Sequence, residues 1–151
     1  MSIEIKSVGF SDYDAKIKLD KEIFKYHTRI LPDMFKLKNF KAITKQDFEL
    51  KLQKANYFCL GIYVNTELVG CIEGEEKSSK NGDYLWIDSF VVLPEYRGNG
   101  FGMALMSKVD EYAKIKNLRI ELSVWVGNDI IKLYKKWGFK EQRIILGKRF
   151  D

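Results

Sequence analysis

The spacing of apolar residues along the chain changes several times, and each change indicates a different kind of secondary structure. A short alternating run at the amino terminus predicts a strand, and the apolar residues that follow recur at helical spacing as far as Ile30. Ser11 or Asp12 can cap this first helix, and Pro32 ends or bends it. A second helix is indicated after Thr44, which begins an acidic variant of the capping box.

Three strand-like runs then follow one another without a helix between them, at 57–64, 68–75 and 84–93. The Asn81-Gly82 pair before the third run can adopt positive φ and reverse the chain. These runs predict an antiparallel meander.

The remainder of the chain alternates between helix and strand. A glycine-rich segment opens a helix that ends near Lys116, a strand covers 119–126, and a short helix covers 129–137. Gly138 provides a left-handed cap for that helix, and a last strand is predicted at 140–146. The order βααβββαβαβ predicts an α/β fold, in which one mixed sheet carries helices on its faces.

Length and composition predict one soluble domain over residues 1–151, because a chain of this size buries roughly 70% of its unfolded surface. Glu4 and Lys6 interrupt the first apolar run, and no run approaches the ~20 residues that cross a bilayer. We therefore expect a cytoplasmic protein without a membrane partner. Cys59 and Cys71 lack the ligand spacing of a zinc site, so we expect buried free thiols and no metal.

The net charge of +5 predicts a surface that attracts anions, but it does not choose among nucleic acid, a membrane surface and a phosphorylated cofactor. Basic residues are frequent near the carboxyl end. They are Lys132, Lys135, Lys136, Lys140, Arg143, Lys148 and Arg149. This distribution favours a solvated helix face, or contact with a cofactor phosphate, over a nucleic-acid partner.

The glycine-rich segment has the composition of a phosphate-binding turn. It leads from a strand into a helix, and Gly98, Gly100 and Gly102 leave the backbone N–H groups uncovered. Because the helix N-terminus adds the positive end of its dipole, a pyrophosphate fits this turn.

Two better-known phosphate loops do not match the same residues. A Walker A loop requires Gly-Lys-Ser/Thr, whereas Gly102 is followed by Met103 and Ala104. A Rossmann fingerprint would have its third glycine at Met103, and the preceding strands lack the βαβ order.

The segment instead resembles motif A of the GNAT acetyltransferases, Arg/Gln-x-x-Gly-x-Gly/Ala, through Arg97, Gly100 and Gly102. The preceding Val-Leu-Pro-Glu-Tyr, at 92–96, is similar to the signature of the same family, and the predicted order of elements is that of its fold. The resemblance implies a mostly antiparallel, twisted sheet. Its fourth and fifth strands splay apart beside a bulge, and the gap admits acetyl-CoA.

The resemblance also implies which residues hold the cofactor. The fourth-strand residues that would bind the pantetheine arm through their main chain are Phe90, Val91 and Val92. Those that would wrap the pyrophosphate are Arg97, Gly98, Asn99, Gly100, Phe101, Gly102 and Met103. Asn128 precedes Tyr134 by six residues, whereas family members commonly have seven, so either cofactor contact or a helix cap remains open for Asn128.

Acetyl transfer to an amine requires a base for the ammonium, with a pKa of ~10, and an acid for the departing thiolate, with a pKa of ~8.5. The resemblance assigns the acid to Tyr134, which could otherwise be a packing residue. Asp88 is the candidate base, and an exposed strand carboxylate is an equal interpretation. Glu121 is a weaker candidate, and a water chain is an alternative. The Val92 N–H is the expected donor to the tetrahedral oxyanion.

The acceptor site is expected between the first two helices, with Tyr26, His27 and Phe35 as its binding residues. The segment 27–35 resembles a His-x-x-x-x-Pro-Asp-x-Phe pattern in members that acetylate diverse small amines. His27 is nevertheless more often a satisfied helix-end residue than a proton shuttle.

The sequence therefore predicts an acetyl-CoA-dependent N-acetyltransferase acting on a primary amine. The acceptor would be a small molecule, such as a polyamine or aminoglycoside, or a peptide N-terminus. The alternative is an inactive acyl-CoA sensor, which the Asn128 spacing leaves open. We expect no nucleic-acid partner, and whether the chain forms a homodimer stays open.

Overall fold

The computed structural model describes residues 1–150 and has one five-stranded sheet at its centre. The strands, which lie side by side in chain order, are β1 (Ile3–Ser7), β2 (Tyr57–Val64), β3 (Glu67–Lys77), β4 (Tyr84–Val92) and β5 (Arg119–Leu122). Strands β1 to β4 pair antiparallel, and β5 pairs with β4 in parallel. The predicted mixed sheet and its antiparallel meander are confirmed.

The helices of the described chain are α1 (Tyr13–Ile30), α2 (Lys45–Leu52), α3 (Phe101–Lys116) and α4 (Ile130–Lys136). Thr44 caps α2 as predicted, because its Oγ1 accepts a hydrogen bond of 3.1 Å from the Asp47 N–H. Asp12 is the N-cap residue of α1, as predicted, but its side chain makes no capping hydrogen bond to the helix. The Asp12 carboxylate instead accepts from the Gly9 N–H at 2.9 Å and from the Tyr63 hydroxyl at 2.8 Å.

The helices cover both faces of the sheet. Glu73 of β3 hydrogen-bonds to Lys16 of α1, whereas Glu76, three residues further along the strand, accepts from Tyr112 of α3. An odd separation along a strand places side chains on opposite faces, so α1 and α3 lie on opposite sides of β3. Fully buried side chains fill the interior on both sides, among them Leu19, Phe48, Ile62, Ile72, Leu85 and Leu105.

A bulge in β4 determines where the sheet splays. Ser89 pairs with Glu73 and Ile87 pairs with Gly74, so Asp88 is an extra residue without a partner on β3. A Cβ on Gly74 would lie 2.0 Å from the Trp86 carbonyl oxygen, and a glycine is therefore required opposite the bulge. Beyond Ile87, β4 has no pairing with β5, and the predicted separation of the fourth and fifth strands begins here.

Two strand predictions at the carboxyl end need correction. The strand predicted at 119–126 ends at Leu122, because β4 diverges and leaves residues 123–126 without a partner. The strand predicted at 140–146 is absent, and Ile144 and Leu146 are 83% and 90% exposed. Apolar residues form a strand only against a neighbouring strand, and 140–146 pairs with none in the described chain.

Two further expectations concern the thiols and membrane association. Cys59 and Cys71 are buried free thiols, as predicted. Among the helices of residues 1–150, we find none whose length and hydropathy would let it cross a bilayer.

Candidate functional site

The turn between β4 and α3 is shaped by two glycines in the left-handed region. Gly98 has φ 80° and Gly100 has φ 77°, and a Cβ on either would meet no atom within 4 Å. Their backbones are therefore open on the side that a Cβ would occupy. A Cβ on Gly102 would instead lie 3.4 Å from the Phe90 ring, so this third glycine lets α3 approach β4.

The same turn carries a run of backbone donors without acceptors. The first backbone N–H of this region with a partner in the described chain is that of Ala104, which bonds to the Gly100 carbonyl at 3.0 Å. The N–H groups from Gly98 to Met103 make no such bond, and they adjoin the N-terminus of the 16-residue helix α3. Free donors and the positive end of a helix dipole together make a site for an anion.

Two side chains of the turn form hydrogen bonds to the main chain that precedes it. The Arg97 Nε donates to the Val92 carbonyl oxygen at 2.9 Å, and the Asn99 Nδ2 donates to the Tyr96 carbonyl oxygen at 3.0 Å. Phe101 is buried in the core, whereas Met103 is 57% exposed beside the free N–H groups. In the structure, Arg97 thus ties the turn to the end of β4.

The end of β4 presents main-chain groups to the gap left by β5. The Leu93 N–H bonds to Val69 of β3 at 2.9 Å, and successive residues of a strand direct their main-chain groups to opposite edges. Val92 and Phe90 therefore face the gap, and Val91 faces β3, where it pairs with Cys71. Of the three residues predicted to bind through their main chain, two are positioned to do so.

Tyr134 lies on α4 within an aromatic cluster. Its ring centroid is 6.3 Å from that of Phe90, 6.1 Å from that of Trp137 and 5.5 Å from that of Phe139. Burial raises the pKa of Tyr134 to about 12, so its hydroxyl stays protonated at neutral pH. In the described chain, the Tyr134 hydroxyl has no hydrogen-bond partner. Because the described residues contain no fully buried side-chain oxygen without a partner, the Tyr134 oxygen is still in contact with solvent. Gly138, with φ 95°, ends the helix as predicted.

The two candidate bases differ in their surroundings. Asp88 is the exposed bulge residue of β4, and partial desolvation raises its pKa although Lys51 opposes the change. Glu121 of β5 forms an ion pair with Arg119, with Nε and Oε2 2.6 Å apart. Glu121 also pairs with Trp86, in the part of the sheet that does not splay. The geometry therefore favours Asp88 over Glu121.

Asn128 has the contacts of a helix cap. Its Oδ1 accepts a hydrogen bond of 3.0 Å from the Ile130 N–H, at the first residue of α4. Asn128 thus bonds the first backbone N–H of α4, while the N-cap position itself is Asp129.

Two of the three residues predicted to bind the acceptor, His27 and Phe35, lie in an aromatic cluster between the α1–α2 loop and the segment after β5. His27 and Phe35 have centroids 5.2 Å apart, and Phe35 meets Trp125 edge to face at 5.4 Å. Burial lowers the pKa of His27, so its imidazole is neutral at physiological pH. Tyr26 stands apart from this cluster in its aromatic contacts, and its ring is instead 5.6 Å from the Arg29 guanidinium.

Sequence reasoning missed two features near the site. Trp125 is not among the predicted site residues, although its ring meets that of Phe35. Glu73 is a buried carboxylate and needs polar partners, but Glu75 and Glu76 follow it closely, and nothing in the sequence shows which of the three is buried.

Surface cavities lie on both sides of the sheet region. One of about 390 Å³ lies between α1 and the start of the turn, and its lining includes Lys25, Arg29 and Pro94. Another, of about 470 Å³, lies between the sheet and the middle of α3 and is lined by none of the predicted site residues.

Comparison with known proteins gives a family match and several relatives. The model of the Acetyltransferase (GNAT) family matches residues 21–139. An acetyltransferase of Yersinia pestis is 31% identical over 108 residues, which are 70% of this chain and 74% of that protein. An uncharacterized N-acetyltransferase of Methanocaldococcus jannaschii is 41% identical over 64 residues, or 40% of this chain, and that match covers only 28% of the relative.

Solved structures with the same fold have lower sequence identity. A tetramutant of the BH1408 protein from Bacillus halodurans superposes with a TM-score of 0.87 at 17% identity, covering 97% of this chain and 99% of the other. The aminoglycoside antibiotic 6'-N-acetyltransferase of Acinetobacter baumannii has a TM-score of 0.72 at 18% identity, with 99% of both chains covered. At these identities the likeness concerns the fold.

Proposed function

This chain belongs to the acetyltransferase (GNAT) family, and we propose that it transfers the acetyl group of acetyl-CoA to a primary amine. The observation that carries the proposal is the run of unpaired backbone N–H groups from Gly98 to Met103 beside the splayed gap. The open space over Gly98 and Gly100 fits a pyrophosphate, and the main chain of Phe90 and Val92 offers partners for the pantetheine arm. When bound, acetyl-CoA supplies an activated thioester.

Two residues around the gap, Tyr134 and Asp88, would each carry out one of the two proton transfers of the reaction. Tyr134 holds a proton on its hydroxyl at neutral pH and would donate it to the departing thiolate. Asp88, on the exposed side of the bulge, would accept a proton from the ammonium of the acceptor, and the resulting neutral amine would attack the thioester. The Val92 N–H points into the gap and stabilises the oxyanion, since a donor fixed in a strand needs little reorganisation.

The proposed acceptor is a small molecule with a primary amine, of the aminoglycoside or polyamine type. The aromatic rings of Phe35 and Trp125, together with His27, provide faces that attract a cationic amine. The fold shared with an aminoglycoside acetyltransferase supports this class, although a ribosomal-protein-alanine N-acetyltransferase of Brucella melitensis has the fold as well, with a TM-score of 0.71. A peptide N-terminus is therefore included in the test.

A thiol-release assay with acetyl-CoA tests the proposal. The panel contains polyamines, aminoglycosides and short peptides with free N-termini, and the expected result is acceptor-dependent release of CoA with one of these classes. Tight binding of acetyl-CoA without release for any amine would instead support the inactive sensor.

A further inference from the structure

A buried polar network connects α1 with the bulge of β4. Glu73 of β3 is 6% exposed, and its Oε1 accepts from the Lys16 Nζ at 2.8 Å and from the Ser89 Oγ at 2.7 Å. The Tyr57 hydroxyl donates to the second oxygen of Glu73, and Lys16, itself 3% exposed, also pairs with Asp20. The carboxylate of Glu73 thus joins β2, β3, β4 and α1.

The network holds its charges in the interior. Burial alone would raise the pKa of Glu73, but Lys16 and the hydrogen bonds from Tyr57 and Ser89 outweigh it and lower the pKa. Burial would likewise lower the pKa of Lys16, and the surrounding negative groups raise it instead. Both groups are therefore ionised. A buried ion pair adds little stability over an apolar pair of the same size. The role of this pair therefore lies in the backbone geometry that it fixes.

The position of Ser89 identifies that geometry. Ser89 is the residue paired directly with Glu73, and it follows the bulge residue Asp88. If the bulge were lost and the pairing of Ile87 with Gly74 continued along β4, the strand beyond it would shift by one residue against β3 and its alternation would invert. Val91 would then face the gap, and Phe90 and Val92 would direct their main-chain groups to β3.

We propose that Glu73 is a positioning residue for acetyl transfer, which through Ser89 fixes the β4 bulge and keeps the Phe90 and Val92 main chain directed into the gap. This inference rests on the proposed function. Glu73 does not touch the reacting atoms. It acts by fixing the register of β4, the strand whose main chain would contact the cofactor.

Two matched variants test the inference, because each removes one hydroxyl that donates to Glu73. Ser89→Ala breaks the link to β4, and Tyr57→Phe breaks the link to β2 and leaves β4 untouched. We expect Ser89→Ala to lower kcat roughly three- to tenfold, with the KM for acetyl-CoA within twofold of wild type. Tyr57→Phe is expected to keep the wild-type kcat even if its melting temperature falls equally.

A conservative variant and a readout without turnover complete the test. Ser89→Thr retains the hydroxyl and is expected to restore kcat. In amide hydrogen exchange, Ser89→Ala should change the protection of residues 88–92, and Tyr57→Phe should not. Equal kcat losses in Ser89→Ala and Tyr57→Phe, or wild-type kcat and exchange in Ser89→Ala, would overturn the positioning role. If the wild type itself releases no CoA while the exchange results differ as stated, the proposed function fails and the structural link stands.

Discussion

At the scale of single residues, the Tyr134 hydroxyl gives the most direct test of the chemistry. Its ring packs against Phe90, Trp137 and Phe139, so Tyr134→Phe preserves the apolar contacts and removes only the proton donor. We expect kcat to fall about a hundredfold, at the low end of what a general acid contributes, with an unchanged Kd for acetyl-CoA. Initial rates of thiol release and calorimetry measure the two quantities. A wild-type rate in the variant would contradict the acid role and leave Tyr134 as a packing residue.

Asp88 should leave a signature in the pH profile. A base acts only when it is deprotonated, so kcat/KM falls as the pH drops through the pKa of Asp88, which partial desolvation raises above the usual value. We expect Asp88→Asn to lower kcat/KM and to abolish this acidic limb. Asp110→Asn is the control, because burial also raises the pKa of Asp110, which lies on α3. An unaltered limb in Asp88→Asn would leave Asp88 as an exposed strand carboxylate.

At the scale of elements, the features that the sequence predicts correctly are those determined by residues close together in the chain. The glycine-rich turn, the Thr44 cap and the Gly138 helix end each depend on a few neighbouring residues, and all were predicted from the sequence. The bulge at Asp88 depends on how β4 pairs with β3, and the early end of β5 depends on how far β4 runs beside it. Neither pairing is specified by residues adjacent in the sequence. The run 140–146 has the composition of a strand, but nothing within it indicates whether a neighbouring strand is present.

The turn itself can be tested by adding one methyl group. Gly100→Ala places a Cβ in the open space over the free N–H groups and at φ 77°, which costs about 1–2 kcal/mol of backbone strain. We expect the Kd for acetyl-CoA to rise at least tenfold, because the added methyl occupies the side from which an anion would approach. Gly82→Ala is the matched control, since Gly82 has φ 104° and lies in the β3–β4 hairpin.

Comparing Gly100→Ala with Gly82→Ala separates the effect of backbone strain from the loss of acetyl-CoA binding. Both alanine variants should lose similar stability in urea unfolding, and only Gly100→Ala should bind acetyl-CoA more weakly in calorimetry. Equal affinities for the two variants would show that the anion does not approach the turn at Gly100.

At the scale of the whole molecule, cofactor binding should appear as a gain in stability. A ligand that binds only the folded chain at a hundred times its Kd stabilises it by about 2.7 kcal/mol. For 151 residues, each kcal/mol corresponds to about 2–4 °C, so acetyl-CoA should raise the Tm by roughly 5–10 °C. The shift should decrease with added salt, because the ligand is an anion and the chain has a net charge of +5. Pantetheine at the same concentration, which lacks the pyrophosphate and the adenosine part, should produce a much smaller shift, and scanning calorimetry compares the two ligands. If pantetheine stabilised the chain as much as acetyl-CoA, the binding free energy would come from the gap beside β4, and the N–H groups of the turn would contribute nothing measurable.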